Sequence, residues 1–141
     1  MNIMQKCAAV AAALAVVTSC AAASRIERRF TASADTQVPG ISLVVDSIDY
    51  RGDLTRVYGR IIGRPHTSNR IDSLYLTPAG GAVLEATDID GVDMRRYFQW
   101  EDNGEIGLEI DFPAIKKRPA EMEMRAVTVK GPVVWIIKRR K

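Results

Sequence analysis

Histidine occurs once in this sequence, at position 66, and cysteine twice, at positions 7 and 20. A zinc centre takes four ligands drawn mainly from Cys and His, or three and a water, and with Cys7 expected to leave in a signal segment the one Cys and one His that remain are too few to build one. No charge of one sign dominates: 20 basic and 17 acidic residues leave +3 over 141 residues. That balance excludes a strongly basic nucleic-acid domain. Charged residues at 26% and apolar ones at 47% exclude wholesale disorder. There is no Gly-x-Ser-x-Gly nucleophile elbow, no repeat of fixed length and no stretch with a convincing helical period. The apolar run of residues 8–17 is half the length that a bilayer-spanning helix needs, which is about 20 residues.

What is present begins with an address. Lys6 supplies a positive start, residues 8–17 an apolar middle, and Thr18 and Ser19 the small residues before a cut, the three parts of a secretory signal. Val17-Thr18-Ser19-Cys20 resembles the lipobox of bacterial lipoproteins, in which an aliphatic residue and two small ones precede an obligatory cysteine. The resemblance implies removal of residues 1–19, acylation of Cys20, and retention on a membrane of a Gram-negative envelope, the outer rather than the inner. The domain would then lie in the periplasm or at the surface. Cys7 leaves with the signal, so Cys20 is the only mature cysteine and no internal disulfide is available. Lys6 is the only charged residue removed, so 19 basic and 17 acidic residues remain and the mature chain is nearly neutral.

Residues 20–40 are rich in Ala, Ser and Thr, carry Arg25, Glu27, Arg28 and Arg29, and close on Pro39-Gly40. They read as a flexible tether with a reach of about 25 Å, followed by a domain over residues 41–138 and a basic tail over 139–141 that projects into water. From residue 41 the dominant period is two. Eight strands are expected, over residues 41–50, 54–62, 70–76, 82–87, 92–100, 105–112, 121–130 and 132–138. A phase slip between Val45 and Ile48 predicts a bulge near Asp46 and Ser47. Asn103-Gly104 between apolar-periodic runs predicts a type I′ hairpin. Residues 105–112 carry one apolar face and one mostly acidic face, so the strand has one side in a core and one in water. Residues 133–137 are apolar on both faces, as in a central strand. Short strands and regular turns over about a hundred residues predict an all-β sandwich of seven to eight antiparallel strands, with a small barrel as the alternative. The strand order, with its acidic-faced strand ending in Asp111-Phe112-Pro113, is similar to the immunoglobulin-like sandwiches of small exported bacterial lipoproteins. That likeness implies a fold and a compartment.

Chemistry-bearing residues are few. His66 sits in a polar loop and reads as solvated. Asp88, Asp90 and Asp93 flank Gly91 and are the one set spaced to converge on a hard cation such as Ca²⁺. They lack the fuller spacing of an EF-hand loop and its terminal Glu, and read as a turn in which Asp bonds its own backbone. Glu105, Glu109 and Asp111 are expected to pair with Arg56, Arg60 or Arg125 on a neighbouring strand. No catalytic residue, metal or cofactor is assigned. The expected function is a lipid-anchored envelope module that binds a protein or glycan partner, or serves in structure or assembly. The alternatives are a small hydrolase or glycan-processing enzyme, and a sensor or inhibitor that docks by adding a strand to a sheet edge.

Overall fold

The computed structural model describes residues 24–28, 30–34 and 41–140. The signal of residues 1–19, the lipobox with Cys20, Pro39-Gly40 and Lys141 lie outside the described residues. Within them the chain is all-β, and two antiparallel sheets pack face to face. The strands are β1 (Ser24–Glu27), β2 (Phe30–Ala34), β3 (Ser42–Arg51), β4 (Leu54–Ile62), β5 (Ser68–Pro78), β6 (Leu84–Glu85), β7 (Asp88–Asp90), β8 (Tyr97–Gln99), β9 (Glu105–Pro113), β10 (Glu121–Thr128) and β11 (Gly131–Arg139). One sheet runs β1-β3-β4-β9-β7, and the other β2-β11-β10-β5-β6 with β8 also on β5.

Alternation builds the core. On β10, Met122, Met124 and Ala126 are buried, and on β11 Val133, Trp135 and Ile137. They meet Val57 and Ile61 of β4 and Leu108, Ile110 and Phe112 of β9 in a single buried cluster. Each such side chain contributes about 1.5–3 kcal/mol. β11 lies between β2 and β10, which explains its second apolar row: Val134 and Ile136 are half-buried on the outer face. The expected bulge is present. Pairing of β3 with β4 steps from Val45↔Gly59 to Ser47↔Tyr58, so Asp46 is the extra residue.

Four expectations are corrected. The tether of residues 20–40 is, where described, two strands: β1 pairs with β3, β2 with β11, and Phe30 is buried in the core. Small Ala, Ser and Thr side chains bury little area, but an open sheet edge supplies the backbone partners that the composition does not announce. The basic tail does not begin at 139. Arg139 closes β11 opposite Phe30, and Arg140 Nε donates to the Phe30 carbonyl at 3.2 Å. Asn103-Gly104 is not a type I′ hairpin. Gly104 has φ 65° but Asn103 has no positive φ, and β8 pairs with β5 whereas β9 pairs with β4, so the turn carries the chain from one sheet to the other. Finally, residues 82–87 and 92–100 contribute only the short β6 and β8, while Asp88–Asp90, read as a turn, is the edge strand β7 on β9.

Candidate functional site

The expected carboxylate–arginine pairing is found on the outer face of the first sheet. Arg56 stands opposite Asp111 in the β4–β9 ladder and grips it in bidentate fashion, Nε to Oδ1 at 2.7 Å and Nη2 to Oδ2 at 3.0 Å. The same Nε is 3.1 Å from Glu109 Oε1. Arg60 Nη1 reaches Glu105 at 3.3 Å. Arg125 takes no part, because it lies on β10 in the other sheet, opposite Tyr75 and Val134. The Arg56 hydrogen bonds hold the Asp111 carboxyl below its usual range despite burial. Asp88 and Asp90 sit opposite Asp111 and Glu109 in register, a like-charge arrangement that costs stability unless a cation is inserted beside it. Arg56 is that cation, which makes this face structural.

Replacing Arg56 by Leu should therefore leave Asp111 unpaired and lower the stability of the domain at pH 7. A carboxyl whose pKa is lower folded than unfolded stabilises above the unfolded pKa of about 3.9 and loses that contribution as the pH falls toward the folded pKa. Urea denaturation should show a constant gap between wild type and variant from pH 7 to 5 that narrows below about pH 4. A gap unchanged at pH 3 would place the stabilisation elsewhere.

The other expected sites do not converge. His66 Nε2 lies 2.9 Å from Asp102 Oδ1, but both side chains are exposed, and the neighbouring Thr67 hydroxyl is committed to the Arg64 carbonyl at 2.7 Å. Asp90 Oδ1 accepts the Gly91 N–H at 3.1 Å, the self-bonding of a plain Asp turn. Among the described residues no three Asp, Glu, His or Cys side chains come together as a metal site. The sheet edges are short: four residues in β1, three in β7, five in β2 and two in β6. Short edges are poor templates for strand addition.

A cationic cleft at one end of the sandwich was not foreseen. Its volume is about 810 Å³, and its lining includes Arg51, Lys116, Lys117, Arg118 and Arg139 against one carboxylate, Glu27. Four chain segments build it. The β3–β4 turn brings Arg51. The loop between β9 and β10 brings the lysines, pinned on one side where the buried Thr55 hydroxyl accepts the Ile115 N–H at 3.0 Å. It is pinned on the other by Arg139, whose Nη2 donates to the carbonyls of Arg118 and Pro119 at 3.3 and 3.2 Å. Glu27 of β1 is shared, with Arg139 Nε on Oε1 at 2.5 Å and Arg118 Nη1 on Oε2 at 3.3 Å. Arg51 is 3.4 Å from Asp53. Lys116 and Lys117, at the loop's apex, are exposed and have no ion-pair partner among the described residues.

Tyr50 lies in the cleft wall and is 6% exposed. Its buried hydroxyl has no hydrogen-bond partner, and among the described residues only Trp100 Nε1 shares that state. Burial, and then the charge of Glu27, push the phenol up to about 12, so it is a proton donor at neutral pH. Surplus positive charge around an unused donor is an arrangement for holding an anion. Of its parts the sequence marks out the basic C-terminus; its meeting with the loop after β9 has no local signal. Fold and site together define a two-sheet β-sandwich with a cationic cleft at one end. No protein-family model matches the chain, and neither does any curated protein or solved structure.

Proposed function

We propose that this protein is a lipid-anchored module of the bacterial envelope that binds rather than catalyses, and that the cationic cleft is its binding element for an anionic group. The observation that carries the reading is the pair Lys116 and Lys117, two cations with no ion-pair partner among the described residues, in one cleft with the orphan Tyr50 hydroxyl. The anchor rests on Val17-Thr18-Ser19-Cys20. Several acyl chains give firm attachment where one gives only marginal binding.

An immunoglobulin-like sandwich is the finer reading of the fold. In its support, β3-β4-β9-β7 and β11-β10-β5-β6 follow the A-B-E-D and G-F-C-C′ order of such domains. β1 and β2 are then additions at the A and G edges. The disulfide and buried-Trp spacing of antibody domains is absent.

Metabolic labelling with radioactive palmitate in a Gram-negative host tests the anchor. The wild-type chain should take up label and fractionate with membranes, while Cys20→Ser should take up none, its domain still unfolding cooperatively because anchor and core are separate. Unlabelled wild-type protein in the soluble fraction would end the proposal.

A further inference from the structure

Ser24 begins β1 directly opposite Arg51, and Arg51 lines the cleft. Antiparallel partners stand about 5 Å apart. Only four residue steps separate Ser24 from Cys20, a span of at most about 14 Å. The Cα of Cys20 therefore lies within about 20 Å of the Cα of Arg51. The opposite end of β3, at Ser42, is about 30 Å away along the strand. An acyl group on Cys20 is thus within reach of the membrane beside the cleft, whereas residues 21–23 would have to double back along the sheet to bring it near the loops at the other end. The cations at this end include Arg140 as well as those lining the cleft, and Glu27 and Asp53 answer only some of them.

We infer that the cleft takes the phosphate of an anionic lipid headgroup, from the same membrane that holds the Cys20 anchor, with Lys116 and Lys117 as its free cations and the Tyr50 hydroxyl as a donor. The inference rests on the proposed acylation and deepens it: the domain stands on the bilayer by its cleft end, and the faces far from the anchor are left for other partners. Chemistry selects phosphate. Ammonium groups act on it as point charges, and an acylated protein meets headgroup phosphates at high local concentration. A polybasic contact of this kind is also the second signal that makes acyl anchoring stable.

The test uses the acylated full-length product, purified and reconstituted in two kinds of vesicle, phosphatidylcholine alone and phosphatidylcholine with one-fifth phosphatidylglycerol. Hydrogen exchange of residues 114–118 should slow by about ten-fold in the anionic vesicles relative to the neutral ones. Adding millimolar inorganic phosphate to the neutral vesicles should not reproduce the effect. Lys116→Glu with Lys117→Glu should abolish the difference without lowering the melting temperature, since neither lysine has an ion-pair partner among the described residues. Lys130→Glu, in the β10–β11 turn at the opposite end, should leave it intact. Tyr50→Phe should weaken it several-fold while the fold survives. Equal exchange in both vesicles overturns the inference, as does protection that survives the double reversal. Protection by inorganic phosphate alone overturns the lipid source. The acyl label is measured on the same preparation. Its absence sinks the anchor and this inference together, while labelled protein with an unprotected loop sinks the inference alone.

Discussion

Trp135→Ala should lower the stability of the domain by about 3–5 kcal/mol, the range for removing a large aromatic from a core. Trp135 is 2% exposed and lies on β11 between Met124 of β10 and Ala34 of β2 in register. Its Nε1 donates to the Ile41 carbonyl at 3.0 Å, tying the start of the first sheet to the middle of the second. Calorimetry should show the melting temperature falling by about 15–25 °C, at roughly 5 °C per kcal/mol for a domain of this size. Trp135→Phe separates the two contributions. It keeps most of the apolar area and loses the hydrogen bond, leaving a buried carbonyl unpaired, and should cost about 1–3 kcal/mol. Equal losses in the two variants would mean that the bond, not the burial, holds the sheets together there.

Gly59→Val should also destabilise, by about 2–3 kcal/mol, against the direction that strand propensity alone would give, since Val favours strands and Gly weakens them. Gly59 pairs with Val45 where the β3 bulge begins. A Cβ there would stand 2.3 Å from the Val44 carbonyl oxygen, and this neighbour is backbone, which has no rotamer to yield. The bulge and the glycine are thus one feature: the extra residue Asp46 swings the β3 backbone toward β4, and only a residue without a side chain admits it. Urea denaturation measures the loss. A variant as stable as wild type would show that β3 can shift its register without cost.

The six long strands, β3, β4, β5, β9, β10 and β11, are legible in the sequence within a residue or two at each end. Each runs for eight residues or more with a period of two, broken by one phase slip in β3 and one in β5, and a period of that length is a property of the segment itself. The same holds for the bulge, visible as a phase slip, and for the pairing of Arg56 and Arg60 with the acidic face of β9. Arg125 was wrongly grouped with them because a list of charges does not say which sheet a strand joins. The edge strands were not legible. β1 and β2 lie in an Ala-, Ser- and Thr-rich stretch, and β7 is Asp-Ile-Asp. None has a period to detect, and each is a strand because a neighbour offers it unpaired backbone groups.

By itself, then, the sequence determined the class of fold and the core-facing residues of the central strands, because these follow from composition and local periodicity. Only the tertiary structure decided that residues 24–27 and 30–34 close open sheet edges, and that Glu27, Tyr50, Arg51, Lys116, Lys117, Arg118 and Arg139 meet at one end. Those residues come from four segments spread over more than a hundred positions. Their charges are unremarkable along the chain. They become a cleft only when β-sheet register sets the end of β3, the loop after β9 and the close of β11 at the same level, which no local signal encodes.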